Sequence, residues 1–88
     1  MMTSHSAIFQ SLLRLSSSLR AMGQPREAIE LLEQKLATME GPCLAVAYRE
    51  LIYAGLESGD RSKAAAFARK LHEIDPTNPL AMPFLSES

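Results

Sequence analysis

One turn recurs in this chain at a fixed interval. Gly23-Gln24-Pro25 and Gly59-Asp60-Arg61 each separate two segments of helical length, and the two glycines are 36 positions apart. At the same offset Leu15 matches Leu51, Ala28 matches Ala64, and the large apolar Leu12 matches Tyr48. Self-similarity at a period of a few tens of residues marks a chain built from stacked supersecondary units. Whatever one copy folds into, the other must fold into as well.

The punctuation says what that unit is. Glycine suits the left-handed position just past a helix end, and proline suits the first helical turn. Gly23 with Pro25, Gly41 with Pro42, Gly59 with Asp60, and Asp75-Pro76 divide the chain into helices over about 4–22, 25–40, 43–58 and 61–74. Ile8, Leu12, Leu15 and Leu19 form one apolar stripe on the first helix. Ala28, Leu32, Leu36 and Met39 repeat it on the second. Leu44, Ala47, Tyr48, Leu51, Ile52 and Gly55 line the third, and Ala64, Phe67, Ala68, Leu71 and Ile74 the fourth. No segment alternates with period two, so the chain is all-α. Turns of two or three residues fold neighbouring helices antiparallel, giving two tandem helical hairpins. The chain is a single domain over 1–88, with a first repeat over about 8–43, a second over 44–79 and an apolar tail over 80–88. Leu44-Ala45 recurs as Leu80-Ala81, so the tail opens like a third unit. Pro83 fits only the first turn of a helix there.

Composition narrows the setting. Nine basic and ten acidic residues give a net charge of −1, which provides no electrostatic footprint for nucleic acid or an anionic membrane. Cys43 is the one cysteine, so a reducing, cytoplasmic compartment is expected. The start, MMTSHSAIFQSLL, does not read as a signal peptide. No stretch approaches the ~18 apolar residues of a membrane span.

The segment AVAYRELIYAGLESGDRSKAAAFARKLHEIDPTNP, over 45–79, resembles a tetratricopeptide repeat, a helix–turn–helix unit of about 34 residues. Tyr48, Leu51, Gly59-Asp60, Ala64 and Asp75-Pro76-Thr77-Asn78 carry the likeness. The first half keeps Leu12, Leu15, Ser16, Gly23, Ala28 and Leu32, and departs at Lys35 and Glu40. The second half departs at Ile52 and Gly55, where the family has small then aromatic, and at Ala68 and Leu71, where it has aromatic then alanine. These are large–small exchanges one turn apart, and volume-conserving swaps are the ones a packed core tolerates.

The resemblance implies a right-handed array of hairpins whose concave face, lined by the first helix of each pair, holds a peptide, a helix or a protein segment. By alignment that face comprises Gln10, Leu13, Ser17 and Arg20, then Val46, Arg49, Glu50, Tyr53, Leu56 and Glu57. Leu13, Val46, Tyr53 and Leu56 would form an apolar strip with Arg20 and Arg49 nearby. The basic-plus-asparagine set by which some family members clamp a chain end is absent, so an apolar or amphipathic segment is the expected ligand.

Other residues carry weaker chemistry. Gly59–Lys63 holds the ingredients of an anion cradle. It has one glycine, the order Ser-Lys, and a helix before it, none of which suits a P-loop. Asp60 is better placed as a helix cap, leaving Arg61 and Lys63 to point into water. Cys43 lacks a local base, and His5 and His72 lack companions at metal-ligand spacing. Cys43 is expected to pack at the start of the third helix and His72 to face solvent. Glu27, Glu30 and Glu33, with Arg26, Gln34 and Lys35, read as the solvated side of the second helix.

No catalytic residue, metal or cofactor is assigned. The leading expectation is a non-catalytic module that binds a protein or peptide segment, as small chaperones and assembly factors do. Its alternative is a structural homodimer whose grooves are filled by its own tail. Independently of that choice, Leu80, Met82, Phe84 and Leu85 are expected either to fold back over Phe67 and Leu71 or to engage another chain. A distant third is an enzyme or phosphate binder using Asp60, Ser62 and Lys63.

Overall fold

The computed structural model describes the backbone of residues 3–85 and the side chains of residues 8–85. The tail residues beyond 85 lie outside the described residues. Helix α1 runs Thr3–Ala21, α2 Pro25–Lys35, α3 Pro42–Glu57 and α4 Arg61–Ile74. A short turn of helix, α5, covers Met82–Leu85. No strand occurs among the described residues. Helices α1 and α2 form one hairpin, α3 and α4 a second, and α3 packs against both helices of the first. The molecule is 18 Å thick in its shortest direction, which fits two layers of helices about 10 Å across. No helix among the described residues is long and apolar enough to cross a membrane.

The two equivalent turns are built alike. Gly23 and Gly59 both hold φ near +80°, the left-handed region that costs a side chain free energy and glycine nothing. Gln24 N–H donates to Leu19 C=O at 2.8 Å and Asp60 N–H to Gly55 C=O at 2.9 Å, closing the two helix ends in the same way. Pro25 opens α2, while Asp60 caps α4 by accepting the Lys63 N–H on Oδ1 at 3.0 Å.

Helix α2 ends earlier than its apolar periodicity predicts. The expected helix to residue 40 stops at Lys35, a 3-10 turn covers Leu36–Thr38, and Met39 is extended. The Thr38 hydroxyl donates to Lys35 C=O at 2.7 Å, and a side chain bonding to the backbone in this way offers an alternative to the helical ladder. Met39 still reaches the core, so the apolar position survives although the helix does not.

The core joins Ala28, Ile29 and Leu32 of α2 to Ala47, Leu51, Ile52 and Ala54 of α3, and to Ala64, Phe67, Ala68 and Leu71 of α4. Tyr48 lies against Phe67 with ring centroids 6.1 Å apart. The stripe expected on α1 is corrected. Leu12 and Leu19 pack on the core together with Phe9, and Ser16 is fully buried, but Ile8 and Leu15 are exposed. The apolar surface of α1 is wider than the face its neighbours cover. Ile74, expected on the stripe of α4, is also largely exposed.

The tail folds onto its own chain. Asn78 shapes the bend, with Nδ2 donating to Asp75 Oδ2 at 3.2 Å and Oδ1 accepting the Leu80 N–H at 3.0 Å. Helix α5 then packs on α4, burying Ala81 and Phe84. Pro83 sits in the first turn of α5.

Candidate functional site

The face expected to carry function lies on α1 and α3, the first helices of the two hairpins. Both enter a tight turn at their C-terminal ends, so they run in the same direction, and they pack on one another. Residues 50, 53 and 57 are three and four apart and share one side of α3. The structure brings that side against Arg20 of α1. Arg20 Nε donates to Glu57 Oε1 at 2.8 Å and Nη2 to Glu57 Oε2 at 2.9 Å, a two-pronged pair. Its Nη1 donates to Glu50 Oε1 at 2.8 Å. The guanidinium carbon lies 5.3 Å from the centroid of the Tyr53 ring.

This cluster is charged but closed. One cation serves two carboxylates and an aromatic face, and planar guanidinium suits both contacts. The hydrogen bonds from Arg20 pull the Glu57 carboxyl below its ordinary range, against a smaller opposing effect of burial. The same contacts, Glu57 foremost, push the Arg20 guanidinium further up. Arg20, expected on the partner-binding face, bonds to its own chain there, and Glu50 is engaged with it.

The remaining positions divide along the face. Tyr53 and Leu56 are 36% and 41% exposed, Leu13 and Val46 are half-buried, and Gln10, Ser17 and Arg49 are exposed. Toward the start of α3, Val46 and Arg49 line an open depression of about 500 Å³ with Leu44, Ala45, Ile74 and Asn78. The face thus has a charge-locked end at Arg20–Glu57, exposed Tyr53 and Leu56, and a mainly apolar hollow with Arg49 at its rim. Ile74 was absent from the expected set. It comes from the last turn of α4, and its apolar periodicity had marked it as core.

The other candidates take the following places in the fold. Gly59 and Asp60 turn and cap the chain. Arg61 and Lys63, expected to point into water, are exposed and half-buried respectively, and both also make contacts within the chain. Arg61 lies over the Phe84 ring at 5.1 Å, tying α4 to the tail. Lys63 Nζ donates to Glu33 Oε2 at 2.9 Å, linking the two hairpins, and lies 5.9 Å from the Phe67 ring centroid. Glu33, read as solvated, is half of that link. Cys43 is half-buried against the core. His72, expected to face solvent, is half-buried, and its Nδ1 is buried with no hydrogen-bond partner among the described residues. Among the described residues no three His, Cys, Asp or Glu side chains group as a metal site would. Of the tail residues, Leu80 and Phe84 pack on their own chain, Leu85 is half-buried and Met82 is exposed.

Compared with protein-family models, with curated proteins and with solved structures, the chain has no match.

Proposed function

We propose that this chain is a non-catalytic interaction module of tetratricopeptide-repeat type. It takes an apolar or amphipathic segment of a partner protein on the face shared by α1 and α3. The observation that carries this reading is the coexistence of exposed Tyr53 and Leu56 with the hollow lined by Val46 and Arg49 along one helix. Large amphipathic side chains and an apolar pocket are the usual anchors of a peptide or helix groove. The closed Arg20–Glu57 pair bounds the site at one end, and Arg49 supplies a cation with no ion pair among the described residues at the other. The role is that of a scaffold or small assembly factor, and a single half-buried thiol suits the reducing cytoplasm.

The alternative, a homodimer whose grooves are filled by the tail, has less support. Phe84 and Ala81 are seated on α4, in the second layer, rather than across α1 and α3.

A random-peptide selection tests the proposal. Wild type should enrich peptides with apolar residues at helical or alternating spacing, and Leu56→Glu and Val46→Glu should weaken their binding by about tenfold or more. Absence of enrichment, or peptides that bind both variants as well as wild type, contradicts it.

A further inference from the structure

The two ends of the hairpin stack are finished differently. At the C-terminal end α5 covers α4, with Phe84 buried under Arg61. At the N-terminal end nothing among the described residues covers the outer side of α1. The internal repeat measures the difference, because Leu51 is fully buried while its counterpart Leu15 is 50% exposed. Ile8 and Met22, seven residues to either side of Leu15, are 60% and 66% exposed. With Leu12 and Leu19 they form a row at spacings of four, three, four and three. That is the seven-residue pattern by which helices pair in coiled coils. Ile8, Leu12 and Leu15, with Ser11, line an open hollow of about 300 Å³.

We infer that this row is the contact surface for a second copy of the same chain, paired α1 to α1 about a two-fold axis running along the helices. The charges at its borders argue for that occupant. Across the internal junction Glu50 reaches back to Arg20, and Lys63 reaches back to Glu33. The counterparts of Glu50 and Lys63 one repeat earlier are Arg14 and Glu27, so these two border the open end. Both are exposed and have no ion pair among the described residues. Arg14 stands on the α1 side of the row and Glu27 on the α2 side. A two-fold axis along the row sets the Arg14 border of each copy against the Glu27 border of the other. A surface with a cation on one border and an acid on the other is therefore complementary to itself. The flanking Ser11 and Ser18 are small and uncharged, and allow close approach. Head-to-tail stacking, which would build an open filament, would have to displace α5 from α4.

This surface is separate from the proposed partner groove. Leu13 and Leu15 differ by two residues, about 200° around the helix, so the α1–α3 face lies on the far side of α1.

Sedimentation equilibrium of the full chain, from low to high micromolar concentration, tests the inference. Wild type should show a reversible monomer–dimer equilibrium. Leu15→Glu should raise the dissociation constant by about tenfold or more with helical circular dichroism unchanged, because Leu15 is only half covered. Arg14→Glu should weaken the dimer, and adding Glu27→Arg to it should restore pairing. A chain monomeric throughout, a dimer indifferent to Leu15→Glu, or a double charge swap that fails to restore pairing would each overturn the proposal.

Discussion

Gly55 on α3 faces Ala64 on α4 so closely that a Cβ added to Gly55 would lie 3.1 Å from both the Ala64 Cβ and its backbone nitrogen. The second hairpin is therefore closed by two residues chosen for having almost no side chain. The bulk sits one turn away instead, at fully buried Ile52 and Leu71. This bears on the large–small exchange read from the sequence. If the chain is a tetratricopeptide repeat, as proposed, bulk at positions 52 and 71 compensates for the small residues at 55 and 68.

Gly55→Ala is predicted to lower stability. Ala64 meets the new methyl with backbone, which cannot swing aside. Overpacking costs about 1–3 kcal/mol, and the better helix propensity of alanine returns at most ~1 kcal/mol. Thermal melting should show a net loss, deepening sharply for an aromatic at 55 combined with glycine at 52. An unchanged melting temperature in that double variant would contradict the compensation account.

Phe84→Ala should remove the cap on α4. The ring is 5% exposed, and truncating a buried phenylalanine costs about 3–5 kcal/mol. Urea unfolding should show that loss. Hydrogen exchange should rise first along α4, while α1 is little changed.

The Glu57 carboxyl is held below its ordinary value of 4.5 by Arg20. Its contribution is complete above that value and fades as pH falls through the lowered one. Its side chain is 43% exposed, so solvent screens the pair and the effect stays within about 1 kcal/mol. Glu57→Gln should flatten the acid limb of a stability-versus-pH curve by that small amount, and added salt should shrink the difference.

Ser16 is fully buried, and its hydroxyl has no hydrogen-bond partner among the described residues. An unpaired buried hydroxyl costs roughly 1–3 kcal/mol. Ser16→Ala should therefore raise the melting temperature modestly, whereas Ser16→Leu should lower it by overfilling a fully buried position.

Much of the architecture is legible in the sequence because the chain marks its own turns. Gly23 and Gly59 adopt the positive φ that only glycine holds without strain, and Asp60 caps the helix it precedes. The end of α2 was less legible, since Met39 keeps the apolar period while Thr38 redirects the backbone. The buried side of α1 was hidden for a different reason. Phe9, Leu12, Leu15 and Ile8 spread around more than one face, and only the arrangement of neighbours decides which face is covered. The charge contacts of the site were invisible for a third reason. Arg20 and Glu57 are 37 positions apart, and no local pattern couples residues at that distance.

A partner segment lying on α1 and α3 would leave a distinct footprint on the backbone amides. Amide chemical-shift mapping with a selected peptide reads that footprint directly. Perturbations should concentrate on Leu13, Val46, Arg49, Tyr53 and Leu56, with α2 and α4 unaffected apart from Ile74. Perturbations centred on α2, or on α4 and the tail, would contradict that placement.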